Sequence, residues 1–191
     1  MPSPWVQRWS HLVAPKGTVL DVACGYGRHL RWFAARGHAV LGVDRAQQAL
    51  DSLADLAGDG RAQLLQADIE TGPWPLMRGG SPSQFDLVVV TNYLWRPLLP
   101  TIVGSLAPGG VLLYETFAHG NATVGKPSRP DFLLVPGELL GVCASLRVIA
   151  FEDGFCEGPG RFVQRIAAVR AVTDVTQSGA EAAPPARFLL R

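Results

Sequence analysis

Apolar positions along this chain follow two rhythms in turn. Residues 18–23 form a short β-branched run that a glycine turn closes, and residues 28–36 then carry Leu30, Phe33 and Ala34 at helical spacing, with Gly37 as the stop. A second apolar run covers residues 39–43. Ala46, Ala49, Leu50, Leu53 and Ala57 then share one helical face that ends at Gly58. Residues 62–67 predict a third strand, and residues 71–84, broken by Gly and Pro, a loop. Phe85-Asp86-Leu87-Val88-Val89-Val90 predicts a fourth strand, 97–106 a helix opened by Pro97, and 111–117 a fifth strand after the Pro108-Gly109-Gly110 turn. Residues 118–131 are expected to be a long exposed loop and 136–143 a short helix, with final strands at 147–151 and 162–172. At the front, Trp5, Trp9, Leu12 and Val13 share a helical face, with Ser3 suited to cap that helix and Pro4 to its first position. This helix is expected either to close over a site or simply to pack into the core.

Near-continuous apolar strands alternating with helices imply a parallel sheet covered on both faces. Right-handed crossovers put every strand exit on one edge, and ligands of such folds bind there near a topological switch point. The expectation is one domain over residues 1–172, including an N-terminal helix over 1–15, and a loose tail over 173–191.

Composition narrows the chemistry. The 191 residues carry 17 Lys+Arg against 16 Asp+Glu, a formal charge of +1, so no overall field steers the protein to nucleic acid or an acidic membrane. Three cysteines (Cys24, Cys143, Cys156) are too few and wrongly spaced for a disulfide framework or a metal site, and are expected to be reduced thiols. The N-terminus lacks a basic region followed by an apolar run, and no apolar stretch has the length of a membrane span. A cytoplasmic protein, monomeric or a small homo-oligomer, with no metal is expected.

The residues at the strand exits are candidates for binding. Asp21-Val22-Ala23-Cys24-Gly25-Tyr26-Gly27 follows the first strand, and its two glycines permit a sharp turn and close approach of a ligand. A dinucleotide fingerprint would need a third glycine where Leu30 stands, and a Walker loop would need Gly-Lys-Ser/Thr. Asp21 suits a ligand that is positively charged at that point. Asp44, after the second strand, suits the two hydroxyls of a ribose and equally the N-cap of the next helix. Asp68, after the third, suits an adenine amino group, or else a solvated loop. Thr91-Asn92-Tyr93-Leu94-Trp95-Arg96 follows the fourth.

Taken together, these segments resemble class I S-adenosylmethionine-dependent methyltransferases. The resemblance rests on Val19-Leu20-Asp21-Val22-Ala23-Cys24-Gly25-Tyr26-Gly27, Leu41-Gly42-Val43-Asp44, Leu64-Leu65-Gln66-Ala67-Asp68, Phe85–Val90 and Leu106-Ala107-Pro108-Gly109-Gly110, in order, over residues 17–117. Gly25-Tyr26-Gly27-Arg28 and Glu115-Thr116-Phe117-Ala118-His119-Gly120-Asn121 look most like the small tellurite-resistance and thiopurine methyltransferase-like group. The family often has Gly where Ala23 stands. The resemblance implies a Rossmann-like, doubly wound α/β sheet of seven strands, mostly parallel with the seventh antiparallel and helices on both faces. It implies S-adenosyl-L-methionine as cofactor and S-adenosyl-L-homocysteine as product. Asp21, Ala23, Gly25 and Gly27 then fall to its methionine end with Asn92 beside them, Asp44 to the ribose, and Asp68 with Ile69 to the adenine, with Arg45 a further cofactor-binding residue. Arg28 would pair with Asp21 or with the cofactor carboxylate.

Methyl transfer from a sulfonium needs a nucleophile held in line and water excluded; a base is optional. No base is compelling. Tyr93, Glu115 and His119 are the candidates, with structural pairing the other reading of Glu115 and an exposed loop that of His119; Trp95 and Arg96 are candidate pocket walls. The absence of a basic arm and of an Asn/Asp-Pro-Pro-aromatic motif after the fourth strand favours a small-molecule acceptor over nucleic acid. A protein substrate, a binding protein without catalysis and a dinucleotide oxidoreductase stand as alternatives.

Overall fold

The computed structural model describes residues 1–172 and 186–190. Among the described residues nine strands form in chain order: β1 (Thr18–Val22), β2 (Ala39–Asp44), β3 (Ala62–Gln66), β4 (Met77–Arg78), β5 (Ser81–Pro82), β6 (Phe85–Thr91), β7 (Leu106–Phe117), β8 (Arg147–Glu157) and β9 (Gly160–Val169). Seven of them make one sheet in the order β3-β2-β1-β6-β7-β9-β8. The first five of that order run parallel, and β9 runs antiparallel to both β7 and β8. The order reverses between β1 and β6, which pair with each other, so the rim beyond their carboxyl ends is the switch point.

The alternation of side chains along each strand builds two cores. Val19, Leu87, Val89, Val111 and Leu113 face one way, beneath α1 (Pro4–Trp9), α2 (Arg28–Ala34), α3 (Gln47–Asp51) and α4 (Ala54–Gly58). Leu20, Val22, Val88, Val90 and Leu112 face the other, beneath α5 (Leu99–Gly104) and α6 (Glu138–Val142). Trp5 and Trp9 are buried in the first core, and the Trp5 indole donates to the Ile166 carbonyl at 3.2 Å. α1 starts as its sequence predicts: Ser3 accepts from the Trp5 backbone N–H, and Pro4 stands at the first turn.

Several boundaries differ from the sequence expectation. The helix expected over 46–57 is two short helices, since Leu53 takes φ −109°, ψ 11° between them and turns its side chain under Gly27. The 71–84 loop holds the β4–β5 hairpin, whose Gly79 and Gly80 both have positive φ as a tight hairpin turn demands. The strand expected from 111 begins at Leu106, with a register shift at β6 absorbing the Pro-Gly-Gly segment. The helix expected over 97–106 opens with a 3-10 turn (Arg96–Leu98) before α5. β8 is longer than expected, and β9 spans 160–169 instead of 162–172.

The 118–131 segment is not uniformly exposed. Asn121 is buried, donating to the Pro127 carbonyl and accepting from the Phe162 N–H, so it pins this loop to β9. Of the tail expected to be loose, residues 173–185 and 191 lie outside the described residues. Residues 186–190 return to the domain: the His11 ring meets the Leu189 carbonyl at 2.9 Å, and Arg147 stacks on Phe188. Cys24 and Cys143 are buried and Cys156 is half-buried; all three are free thiols. No helix among the described residues is long and apolar enough to cross a membrane.

Candidate functional site

Two clefts open on the rim at the switch point. The first, of about 390 Å³, lies over the exits of β1, β2 and β3 and is lined by Ala23, Asp44, Arg45, Asp68, Ile69 and Tyr93, among others. The second, of about 610 Å³, lies over the exits of β6 and β7, with Asn92, Leu94, Thr116, Phe117, Pro127 and Phe132 in its wall. Both have Glu70 and Tyr93 in their walls, so the two clefts adjoin there. Both combine apolar walls with a few polar groups.

The loop after β1 is shaped by left-handed residues. Ala23, Gly25 and Gly27 have φ of +53°, +52° and +65°. No atom lies within 4 Å of where a Cβ on Gly25 would stand, so the backbone there faces open space. At Gly27 a Cβ would lie 2.6 Å from Leu53 Cδ1, so that glycine is required by packing under α3 and α4, not by the cleft. Asp44 fixes this loop: its Oδ2 accepts from the Gly25 N–H at 2.7 Å, and its Oδ1 accepts from the Ala46 N–H at 2.9 Å. Asp44 is not the helix N-cap the sequence offered as its other reading, since Ala46 takes that position with no side-chain cap, and each Asp44 oxygen keeps a further lone pair for a ligand. Asp68 likewise accepts from the Glu70 and Thr71 N–H groups and the Thr71 hydroxyl, which hold its carboxyl below the usual carboxylate range. Ile69 is buried beside it.

Asp21 lies elsewhere. It is 1% exposed, lines neither cleft, and projects beneath α1 and α2. Burial raises its pKa, and the neighbouring His29 opposes that shift. Its Oδ2 has no hydrogen-bond partner, and His29 Nδ1 stands 3.6 Å from it. Arg28 donates to the Thr91 hydroxyl at 3.2 Å, so it bridges the loop after β1 to the end of β6. Asn92, at φ +55°, accepts a long 3.5 Å contact from Arg161.

The three candidates for a base sit in different surroundings. Tyr93 is in the cleft walls, with a buried hydroxyl that has no partner and a pKa raised by burial. Glu115 is fully buried and accepts from the Ser3 hydroxyl (3.0 Å), Arg161 (3.3 Å) and Arg165 (3.3 Å), so it is the structurally paired carboxylate of its other reading. His119 is exposed on the loop after β7, outside both cleft linings. Arg96 binds Glu138 and the Asp131 and Leu133 carbonyls, and neither it nor Trp95 lines a cleft.

Sequence reasoning missed His29, Arg161, Arg165 and Glu70. Glu115, Arg165 and Glu152 are aligned across β7, β9 and β8. That row becomes visible only once the register of the two antiparallel strands is known.

With this geometry in hand, comparisons with known proteins bear on the family. The model of a methyltransferase domain matches residues 19–110, which span β1 to the start of β7. That match agrees with the resemblance that the sequence carries over the same segments. Solved structures share the fold. TehB from Haemophilus influenzae superposes with a TM-score of 0.68 at 18% identity, over 89% of this chain and 62% of that one, so this chain spans less than two thirds of its length. An S-adenosylmethionine-dependent methyltransferase from Mesorhizobium loti gives 0.65 at 17% identity, over 85% and 95%. The glycopeptide N-methyltransferase MtfA, crystallised with S-adenosyl-L-methionine, gives 0.58 at 20%, over 86% and 92%. No curated protein sequence matches significantly. The residues present fit S-adenosylmethionine, the ligand with which MtfA was crystallised: an open backbone elbow at Gly25, a carboxylate with spare lone pairs at Asp44, and an apolar slot at Ala67 and Ile69.

Proposed function

We propose that this chain is an S-adenosylmethionine-dependent methyltransferase acting on a small, largely apolar molecule seated in the second cleft. The observation that carries the reading is the wall the two clefts have in common at Tyr93 and Glu70, which sets an acceptor beside the cofactor. S-adenosylmethionine, when bound, supplies a methyl group already activated by a positively charged sulfur.

The rest of the chemistry is positioning. Asp44 receives the ribose hydroxyls while it keeps the Gly25 and Ala46 amides in place, and Arg45 flanks it. Ala67 and Ile69 flank the adenine, and Asp68 accepts from its amino group. Gly25 leaves room for the methionine end, with Ala23 beneath it and Asn92 beside it. Leu94, Phe117, Pro127 and Phe132 exclude water from the acceptor. Burial keeps the Tyr93 hydroxyl protonated, so it acts as a hydrogen-bonding group and not as a base. Such orientation alone supplies roughly 7–11 kcal/mol of a bimolecular barrier.

The test is transfer of a tritiated methyl group to a panel of small thiols, amines and phenols, run beside peptides and a folded protein mixture. Label in the small apolar acceptors is expected. Label confined to the peptides or proteins overturns the acceptor class.

A further inference from the structure

The charges around the second cleft do not balance. Of the residues in its wall, Glu70 alone is charged; the others are apolar or neutral, among them Leu94, Phe117, Phe132 and Tyr93. The cations that border the cleft already have carboxylate partners. Arg129, which lies over the Phe132 ring, pairs with Asp131 at 2.8 Å and is largely exposed, so solvent screens what remains of its charge. Arg161, which reaches Asn92, pairs with the buried Glu115 at 3.3 Å. In the first cleft Arg45 is outnumbered by Asp44, Asp68 and Glu70.

Glu70 itself has no ion pair among the described residues. Its backbone is fixed, since its N–H donates to Asp68 Oδ1 at 3.0 Å in the turn after β3. Its side chain is half-buried in the wall that the two clefts have in common. A second unused group stands in that wall. The Tyr93 hydroxyl is buried without a partner, and its pKa is raised first by burial and then by the Glu70 charge, so that charge is felt at the hydroxyl.

We infer that the acceptor is an amine on an apolar body, and that Glu70 is the specificity-determining residue that selects it. The inference deepens the reading of the second cleft and rests on it. At neutral pH an aliphatic amine arrives as an ammonium ion, which has N–H donors and no lone pair. Glu70 supplies the counter-charge that the cleft otherwise lacks, and the Tyr93 oxygen accepts a further N–H. The apolar wall takes the rest of the molecule. A thiolate or carboxylate of the same size meets Glu70 as a like charge and is disfavoured.

The step balances without a further reagent. One proton passes from the ammonium to solvent, since half-buried Glu70 is not sealed off, and this frees the lone pair. That pair forms the N–C bond as the bond from the methyl to sulfur breaks, and the electrons of the broken bond stay on sulfur. The methylated product is again an ammonium ion.

The experiment measures kcat and KM for tritiated methyl transfer to benzylamine, phenethylamine and longer phenylalkylamines, and to the thiols of the same skeletons. Full-length wild type, Glu70→Gln and Glu70→Asp are compared. Melting curves confirm folding, and calorimetric titration with S-adenosylhomocysteine follows the cofactor site. The expected result is label in the amines. Glu70→Gln then loses about tenfold or more in kcat/KM on the amine, mainly through KM, while the thiol is unchanged or gains, and Glu70→Asp recovers part of the loss. Equal losses on amine and thiol reduce Glu70 to a structural part of the wall and overturn the inference. Label confined to the thiols overturns it too, and in both cases the methyltransferase reading stands. Label in neither, with S-adenosylhomocysteine bound, overturns the amine and the small acceptor together. A wild-type protein that does not bind S-adenosylhomocysteine overturns the cofactor reading, and the inference with it.

Discussion

Gly25→Ala adds one methyl group where the protein has nothing. No atom lies within 4 Å of the new Cβ, so the substitution disturbs no packing. Its cost to the fold comes from the backbone alone. An alanine at φ +52° pays roughly 1–2 kcal/mol for the left-handed region. In a domain of this size, that lowers the melting temperature by about 2–8 °C. The effect on the ligand is of another kind, since the methyl occupies the space against which the methionine end of the cofactor lies. Losing that close approach is expected to weaken S-adenosylhomocysteine at least tenfold, or about 1.4 kcal/mol. Gly27→Ala is the control. Its Cβ meets Leu53 Cδ1 at 2.6 Å, so its penalty falls mainly on stability. Calorimetry and thermal melts on the two variants separate these effects. A folded Gly25→Ala protein with wild-type affinity would refute the placement of the cofactor over this elbow.

Three further outcomes follow from the same loop and its carboxylates. Ala23→Gly relieves a residue at φ +53° and is expected to stabilise the protein by up to about 1 kcal/mol, after the entropic cost of glycine is subtracted; urea unfolding checks it, and a loss of stability contradicts it. Asp44→Ala removes the acceptor of two backbone bonds, at 2.7 and 2.9 Å, and should cost about 1.5–3 kcal/mol of stability without ligand as well as cofactor affinity; unchanged melting and unchanged affinity together would remove Asp44 from the account. Asp21→Asn should raise stability at neutral pH. Burial raises the Asp21 pKa, so the folded state pays for the ionised form above that raised value and is relieved of it as pH falls toward the ordinary carboxylate range. The gain from Asn must therefore shrink on acidification, and a gain that is independent of pH, or a loss, contradicts the reasoning.

The sheet was legible because its strands are buried on both faces, and runs such as Phe85–Val90 need no partner to declare themselves. The antiparallel final strand came from the family resemblance and agrees with the β7–β9–β8 pairing. What the sequence hid was mostly tertiary. His29 reads as an ordinary polar residue in the first turn of a helix, and only the fold sets it between Ser3 and Asp21. Asp21 belongs to the first motif by position, yet the pleat turns it away from the cleft and under α1. Gly25 and Gly27 look alike in sequence, and only the packing of Leu53 separates their reasons. The 46–57 helix failed at Ser52-Leu53, where tertiary contact with the β1 loop overrides a continuous apolar face.

The most direct test of the account is nuclear magnetic resonance titration of the isotopically labelled protein with S-adenosylhomocysteine. The account predicts one binding event per chain, with amide shifts concentrated at 23–27, 44–46, 67–70 and 92–93. Saturation that leaves those amides unmoved, or shifts gathered on another face, would contradict it.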